Sequence, residues 1–168
     1  MHISWPKTKV QNLGTGQPLS DVSVDAHHVE CVDNFTYLGS VQSSDGHCRP
    51  DIRRRIALAA SVMSSLRNIW KDQRLSLSTK TRIYQTLVVS VLLYASETWK
   101  LLAADVKTLE AFHVKYQRQI LRIRWQDHVL NDEVAACTGL RPVMESIRRR
   151  REAIFGHVAR MSPNSPAH

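Results

Sequence analysis

Cysteine is too scarce in this chain to staple a fold. The 168 residues hold three, Cys31, Cys48 and Cys137, an odd number at wide spacing that offers no disulfide framework. Reduced thiols in an intracellular protein, nuclear or cytoplasmic, are the expectation. Long apolar runs are missing as well. Leu87 to Ala95 is the most apolar stretch, far short of the roughly 20 residues of a membrane-spanning helix, so no membrane partner is expected. The first residues lack the charged-then-apolar order of a leader peptide. No C-x-x-C or H-x-x-x-H spacing occurs. The His27-His28 pair reads as solvent-facing, because adjacent strand side chains point to opposite faces. His113, Cys137 and His157 have no spacing that would gather them on one zinc ion, so no metal is expected. Nor are two aspartates adjacent anywhere in the chain.

Charge, by contrast, is plentiful and uneven. The net charge is +8. Residues 1–48 carry two lysines against five acids, a balance of −3, whereas residues 49–168 carry 21 Lys and Arg against 10 acids, a balance of +11. A basic surface attracts phosphate backbones without reading sequence; equally, it can be a solvated surface that happens to be basic.

The hydrophobic pattern divides at the same place. Val22 and Val24, then Val29, Cys31 and Val32, read as two short β runs, and Lys7-Thr8-Lys9-Val10 as the start of a strand after Pro6. Gly14 to Pro18 reads as a turn. Phe35, Tyr37 and Val41 continue the β pattern, with either a bulge at Gly39 or a close approach of backbone there. Asp45-Gly46 is a turn signal. From Pro50 the period changes. Ile52, Ile56, Ala59, Met63, Leu66 and Trp70 form one helical stripe, which predicts a helix from about Pro50 to Lys71. A second helix is expected from Thr79, capped by Ser78, to about Glu97, with Glu97 a partnered acid at the core's margin. A third, capped by Asp105, follows the stripe Leu109, Phe112, Tyr116, Ile120 and Ile123. Trp125 closes it, either in the core or stacked on a base. Asn131 caps a short helix that Gly139 ends. Pro142 opens a last one with Met144, Ile147, Ile154, Val158 and Met161 inward, and Ser162 to His168 reads as frayed. The fold class expected is therefore α+β, mostly α: a small antiparallel β unit within residues 7–44, then about five helices.

Several strings stand in order along the chain: YLGS (Tyr37 to Ser40), DG (Asp45-Gly46), DI--RI--A from Asp51, LS--TK--IY (Leu75 to Tyr84), LLYASETW (Leu92 to Trp99), LE-FH (Leu109 to His113), ILRIRW-D (Ile120 to Asp127), TGLRP (Thr138 to Pro142) and GHV-RM (Gly156 to Met161). The ordered set resembles the region after the polymerase active site in reverse transcriptases of non-LTR (LINE-type) retrotransposons, and the resemblance covers nearly the whole chain. It implies a palm tail and primer-grip β unit at 1–48, a thumb-like helical bundle at 49–128 and a carboxy-terminal helical segment at 129–168. It also implies that Met1 lies inside a larger domain, with the palm and fingers as missing partners. By the resemblance, Phe35, Tyr37, Leu38 and Gly39 are the primer grip. Lys7 matches the lysine placed near the incoming nucleotide's phosphates, although on residue type alone it reads as an exposed strand lysine. Candidate contacts to an RNA–DNA or DNA duplex are Arg53, Arg54, Arg55, Arg118, Arg122, Arg124, Arg148, Arg149, Arg150 and Arg151. Arg148 to Arg151 spread over more than half of a helix's circumference, so they cannot all meet one partner.

Magnesium is implied for the full-length enzyme of that family, held by paired aspartates; this chain carries no such pair and no cofactor of its own is expected. The reading is a fragment of an endonuclease/reverse transcriptase-like protein that binds primer–template nucleic acid, with a non-catalytic helical scaffold for protein contacts as the alternative. The isolated chain is accordingly expected to extend no primer with Mg²⁺ or Mn²⁺. Extension by pure protein that is abolished by a substitution within these residues would overturn this.

Overall fold

The computed structural model describes residues 3–14, 16 and 22–161; most of the Gly14 to Pro18 turn and the Ser162 to His168 tail lie outside them. It shows the α+β, mostly α class. The chain forms two compact units, Met1–Arg53 and Arg54–His168.

The first unit holds two separate antiparallel hairpins. β1 (Val22–Val24) pairs with β2 (His27–Val29). Their two-residue turn is Asp25-Ala26, both with positive φ, which matches the twist of paired strands. β3 (Asn34–Tyr37) pairs with β4 (Ser40–Ser43) through Leu38 and Gly39, again both at positive φ. Gly39 is thus a turn residue and no bulge. The expected strand at Lys7 is instead a 3-10 turn, Trp5–Lys7, with Pro6 in its first positions. The Thr8 N–H and hydroxyl both donate to the Ser4 carbonyl and close it. Only Val10 bridges, in parallel, to Cys31. His27 and His28 are exposed, and the His27 ring stacks on Trp5 at 4.3 Å. Asp51 is buried, accepting from the Ser40 hydroxyl and from the Val41 N–H at 3.0 Å.

The expected helical segments are all present, two of them subdivided. The first is α1 (Arg49–Ser65), within which the unit boundary falls, and α2 (Arg67–Lys71). Leu66 leaves the helical region (ψ 15) between them. That break frees the Met63 carbonyl, which accepts from the buried Trp70 indole at 2.9 Å. The second begins two residues earlier than expected: Ser76, in extended backbone, accepts from the Thr79 N–H. It runs through α3 (Leu77–Ile83), a π-helical stretch Tyr84–Val89, and α4 (Ser90–Leu92). Tyr84, Val88, Leu92 and Leu93 are fully buried there, while Leu87 faces solvent. A 3-10 turn, Ser96–Thr98, follows. α5 (Ala103–Leu121) ends at Arg122, in the left-handed region at φ 60. α6 (Asn131–Thr138) and α7 (Val143–Ala159) complete the unit. Neither Asp105 nor Asn131 is the cap residue itself. Asp105 and Glu133 sit in the first turns and reach back to the N–H groups of Leu102 and Leu130 at 3.1 and 2.9 Å, half of a capping box. In α7, Ile147 is buried but Ile154 is exposed, so its apolar stripe leaves the core before the helix ends. α5 is central, packing on α3, α6 and α7.

A buried polar line crosses this core. The His113 Nε2 donates to the Arg141 carbonyl at 3.1 Å, since a carbonyl can only accept, and Nδ1 accepts from the Tyr84 hydroxyl at 3.0 Å. Gln117 accepts from the Thr138 hydroxyl at 2.6 Å. Burial pushes the Tyr84 phenol up and the His113 imidazole below its ordinary 6.5, the latter opposed by the bond to Arg141. A lowered folded pKa means that the unfolded chain binds the proton first. His113 therefore contributes its full stability above pH 6.5 and loses it as the pH falls through the depressed folded value. Urea unfolding should show stability declining as the pH falls below 6.5, with a shallower decline in His113→Gln. Equal slopes in the two proteins would contradict the assignment.

Candidate functional site

Two helix edges of the second unit face one another across a cleft of about 530 Å³. One edge is Met63, Ser64, Arg67, Trp70 and Lys71; the other is Lys115, Tyr116, Gln119 and Arg122. Both sets step by about one, four and seven residues, the repeat of a single helix face. Four of the nine lining residues are cationic and none is acidic. The acid nearest Lys71 in the chain, Asp72, is held by the Arg74 side chain and N–H, which keep its carboxyl below the usual range. The floor is aromatic. Trp70 is buried, and the Tyr116 ring is set by the edge of Phe112, centroids 4.6 Å apart. Lys115 Nζ lies 5.4 Å from the Tyr116 centroid, within cation–π range. At one end the Arg122 guanidinium donates to the Lys71 carbonyl at 2.5 Å and ties the two edges together.

The arginines singled out from sequence are not one group. Arg53 and Arg54 are exposed on α1. Arg55 is buried, its guanidinium 4.3 Å from the Tyr94 centroid. Arg118, Arg122 and Arg124 do not present a common face. Arg118 is turned onto the Val129 carbonyl (2.6 Å) and Asn131 (2.9 Å), because the loop after α5 folds back along it. Arg122 lines the cleft. Arg124 is exposed, its N–H bonded to the Asp127 carboxylate. Arg148 and Arg149 pair along α7 with Glu152 and Glu145. Arg150 and Arg151 turn instead onto backbone carbonyls of an earlier segment. Arg150 donates to the Leu93 carbonyl at 2.5 Å and lies 3.6 Å from Glu97, while Arg151 donates to the Trp99 carbonyl. The run thus divides around the helix as its spacing requires, and Glu97 is the partnered acid anticipated.

In the first unit, Tyr37 and Leu38 are exposed at the β3–β4 tip, Phe35 and Gly39 are half-buried, and Lys7 is exposed. Tyr37 is therefore no core residue. Trp125 is no core residue either: it stands in a 3-10 turn, Trp125–Asp127, 80% exposed.

Arg67, Lys71 and Lys115 each stand without a cationic neighbour in the chain, so clustering does not mark them as it marks the arginine runs. A usable signal was present. No acid occurs between 52 and 71 or between 111 and 126, so every charged group on those stretches other than a histidine is a cation. Among the described residues no group of three or more His, Cys, Asp or Glu could hold a metal ion, and no helix is long and apolar enough to cross a membrane.

Residues 63–94, which include one edge of the cleft, match a family described as a domain of unknown function, DUF6451. The chain is also 22% identical over 172 residues to an uncharacterized transposon-derived protein of Caenorhabditis elegans, an alignment that covers 95% of this chain and 60% of that relative. The chain thus spans three fifths of the relative's length and is similar to a protein of transposon origin. No solved structure matches.

Arg150 and Arg148 carry the same charge two residues apart and do different things. Arg150→Ala removes one of the two donors to the Leu93 carbonyl, the Ser96 N–H being the other, together with the partner of Glu97, and should cost about 1–2 kcal/mol in urea unfolding. Arg148→Ala should stay within roughly 0.5 kcal/mol of the native protein. Equal losses would mean that the Leu93 bond contributes nothing.

Proposed function

We propose that this chain is a piece of a non-LTR retrotransposon reverse transcriptase, or of a protein descended from one, and that its helical unit binds an RNA–DNA or DNA duplex without sequence preference. The observation that carries this is the acid-free cleft between Arg67 and Lys71 on one side and Lys115 and Arg122 on the other. Cations on two edges at helical spacing make a trough of positive potential, and phosphate contacts there release counterions. The similarity to a transposon-derived protein and the ordered strings support the lineage. In this reading residues 49–128 are thumb-like, Phe35, Tyr37, Leu38 and Gly39 of the β3–β4 hairpin are the primer grip, and Lys7 lies on the phosphate side of an active site whose aspartates belong to another part of the protein. The palm and fingers are its partners there. Magnesium would be held by those aspartates.

A second reading, a scaffold for protein contacts, has one observation in its favour: Ile154 and Phe155 are 50% and 76% exposed on α7. Salt separates the two, since an apolar interface does not weaken with salt as phosphate binding does.

The test is fluorescence anisotropy with a labelled duplex across a salt series. Replacing Arg67, Lys71 and Lys115 together by Ala should shallow the slope of log affinity against log salt by roughly 2–3. The Lys71 carbonyl that Arg122 uses survives the substitution. Replacing Arg148 and Arg149 should change the slope little. Identical slopes in the cleft variant and the native protein would sink the proposal.

A further inference from the structure

The loop after α5 holds a tryptophan in the open on a well-fixed backbone. Of the four tryptophans, Trp70 and Trp99 are buried and Trp5 is half-buried against His27. Trp125 is 80% exposed. It is also held in place. Ahead of it, the Arg122 and Ile123 N–H groups donate to the Gln119 and Arg118 carbonyls at 3.3 and 3.0 Å, the two bonds of a Schellman helix end. Around it, the Arg124 N–H donates to the Asp127 carboxylate at 2.6 Å and the Asp127 N–H to the Arg124 carbonyl at 3.1 Å. Behind it, His128 turns the chain at φ 49, and the Arg118 guanidinium grips the Val129 carbonyl. Every bond fixes the backbone, and none covers the indole.

The surroundings narrow what the indole meets. Its neighbours in the chain are Arg124, Gln126, Asp127 and His128, all exposed, so it is a flat apolar surface set among polar groups. The next exposed apolar residue along the chain is Leu130. The turn holds one acid, Asp127, whose carboxylate accepts from the Arg124 N–H; against Arg122 and Arg124 it leaves a net single positive charge around the indole. A partner that is flat, stacks on one face and carries negative charge beside that face fits this best. Trp125 is three residues from Arg122, at most about 11 Å of extended chain, or about three nucleotide steps of a strand.

We propose that Trp125 is a stacking platform for an unpaired nucleobase at the end of the duplex held in the cleft. This rests on the reading of the cleft as a nucleic-acid site and adds what that reading leaves open, namely that the ligand is a duplex with a single-stranded extension. Stacking on an indole is sequence-tolerant because every base has a π-face.

The test uses the full chain and two duplexes with the same two-nucleotide overhang, one bearing bases and one abasic, so that phosphate number is constant. The native protein should bind the base-bearing overhang roughly fivefold or more tightly than the abasic one. Trp125→Ala should lose that preference while keeping its affinity for the abasic duplex, and Trp125→Phe should keep most of it. Far-ultraviolet circular dichroism checks that both variants fold. Equal native affinity for the two duplexes would overturn the platform and leave duplex binding standing. Binding of neither duplex at low salt would overturn both. Self-association of the native protein that Trp125→Ala abolishes would assign the indole to a protein contact and overturn the platform as well.

Discussion

A helix ends with carbonyls that have no partner of their own, and the second unit is built around supplying those partners from far along the chain. α2 has only one turn, yet two cations cap it: Lys80 donates to the Trp70 carbonyl at 3.2 Å and Arg122 to the Lys71 carbonyl. The end of α4 takes Arg150, and the 3-10 turn after it takes Arg151. A cation at a helix C-terminus also meets the negative end of the helix dipole, so each bond is favoured by charge as well as by geometry. The amino ends are treated in the opposite way. Asp105, Asp127 and Glu133 each reach back three residues to a backbone N–H. Acids hold helix starts locally; cations hold helix ends at a distance.

This arrangement divides a charge that composition presents as uniform. Arg118, Arg150, Arg151 and Lys80 are committed to carbonyls. Arg148 and Arg149 are balanced by glutamates on their own helix. What remains concentrated is the cleft, where Arg67, Lys71, Lys115 and Arg122 have no acid among the lining residues. Arg122 belongs to both groups. Its backbone ends α5, its guanidinium caps α2, and its exposed remainder adds to the field of the cleft.

The same distinction explains what could be read from the residues. Elements whose signals lie within one turn were legible. The stripe from Ile52 to Trp70, the Asp45-Gly46 turn and Gly139 at the end of α6 all depend on neighbours in sequence. So did Asp105 and Asn131 in outline, though the acids act from inside the helix rather than at its cap. The break at Leu66 was not legible, because the Met63 carbonyl it frees is taken by an indole seven residues on. The bonds from Arg150 and Arg151 span 57 and 52 residues, and nothing local marks them as different from Arg148. Arg118, Arg122 and Arg124 lie within seven residues of one another, yet α5 ends at the second, and the returning loop takes the first. The cleft needed α5 brought opposite α2, where Arg122 reaches the Lys71 carbonyl, although the acid-free stretches that build it were already in the sequence.

The division of the arginines is the central claim, and side-chain NMR reads it directly. The Nε–H signals of the full chain, isotope-labelled and assigned, would be followed as a short duplex is added at low salt. The account predicts that Arg67 and Arg122 shift progressively while Arg118, Arg150 and Arg151 stay where they are. Movement of Arg150 and Arg151 with Arg67 unmoved would contradict it.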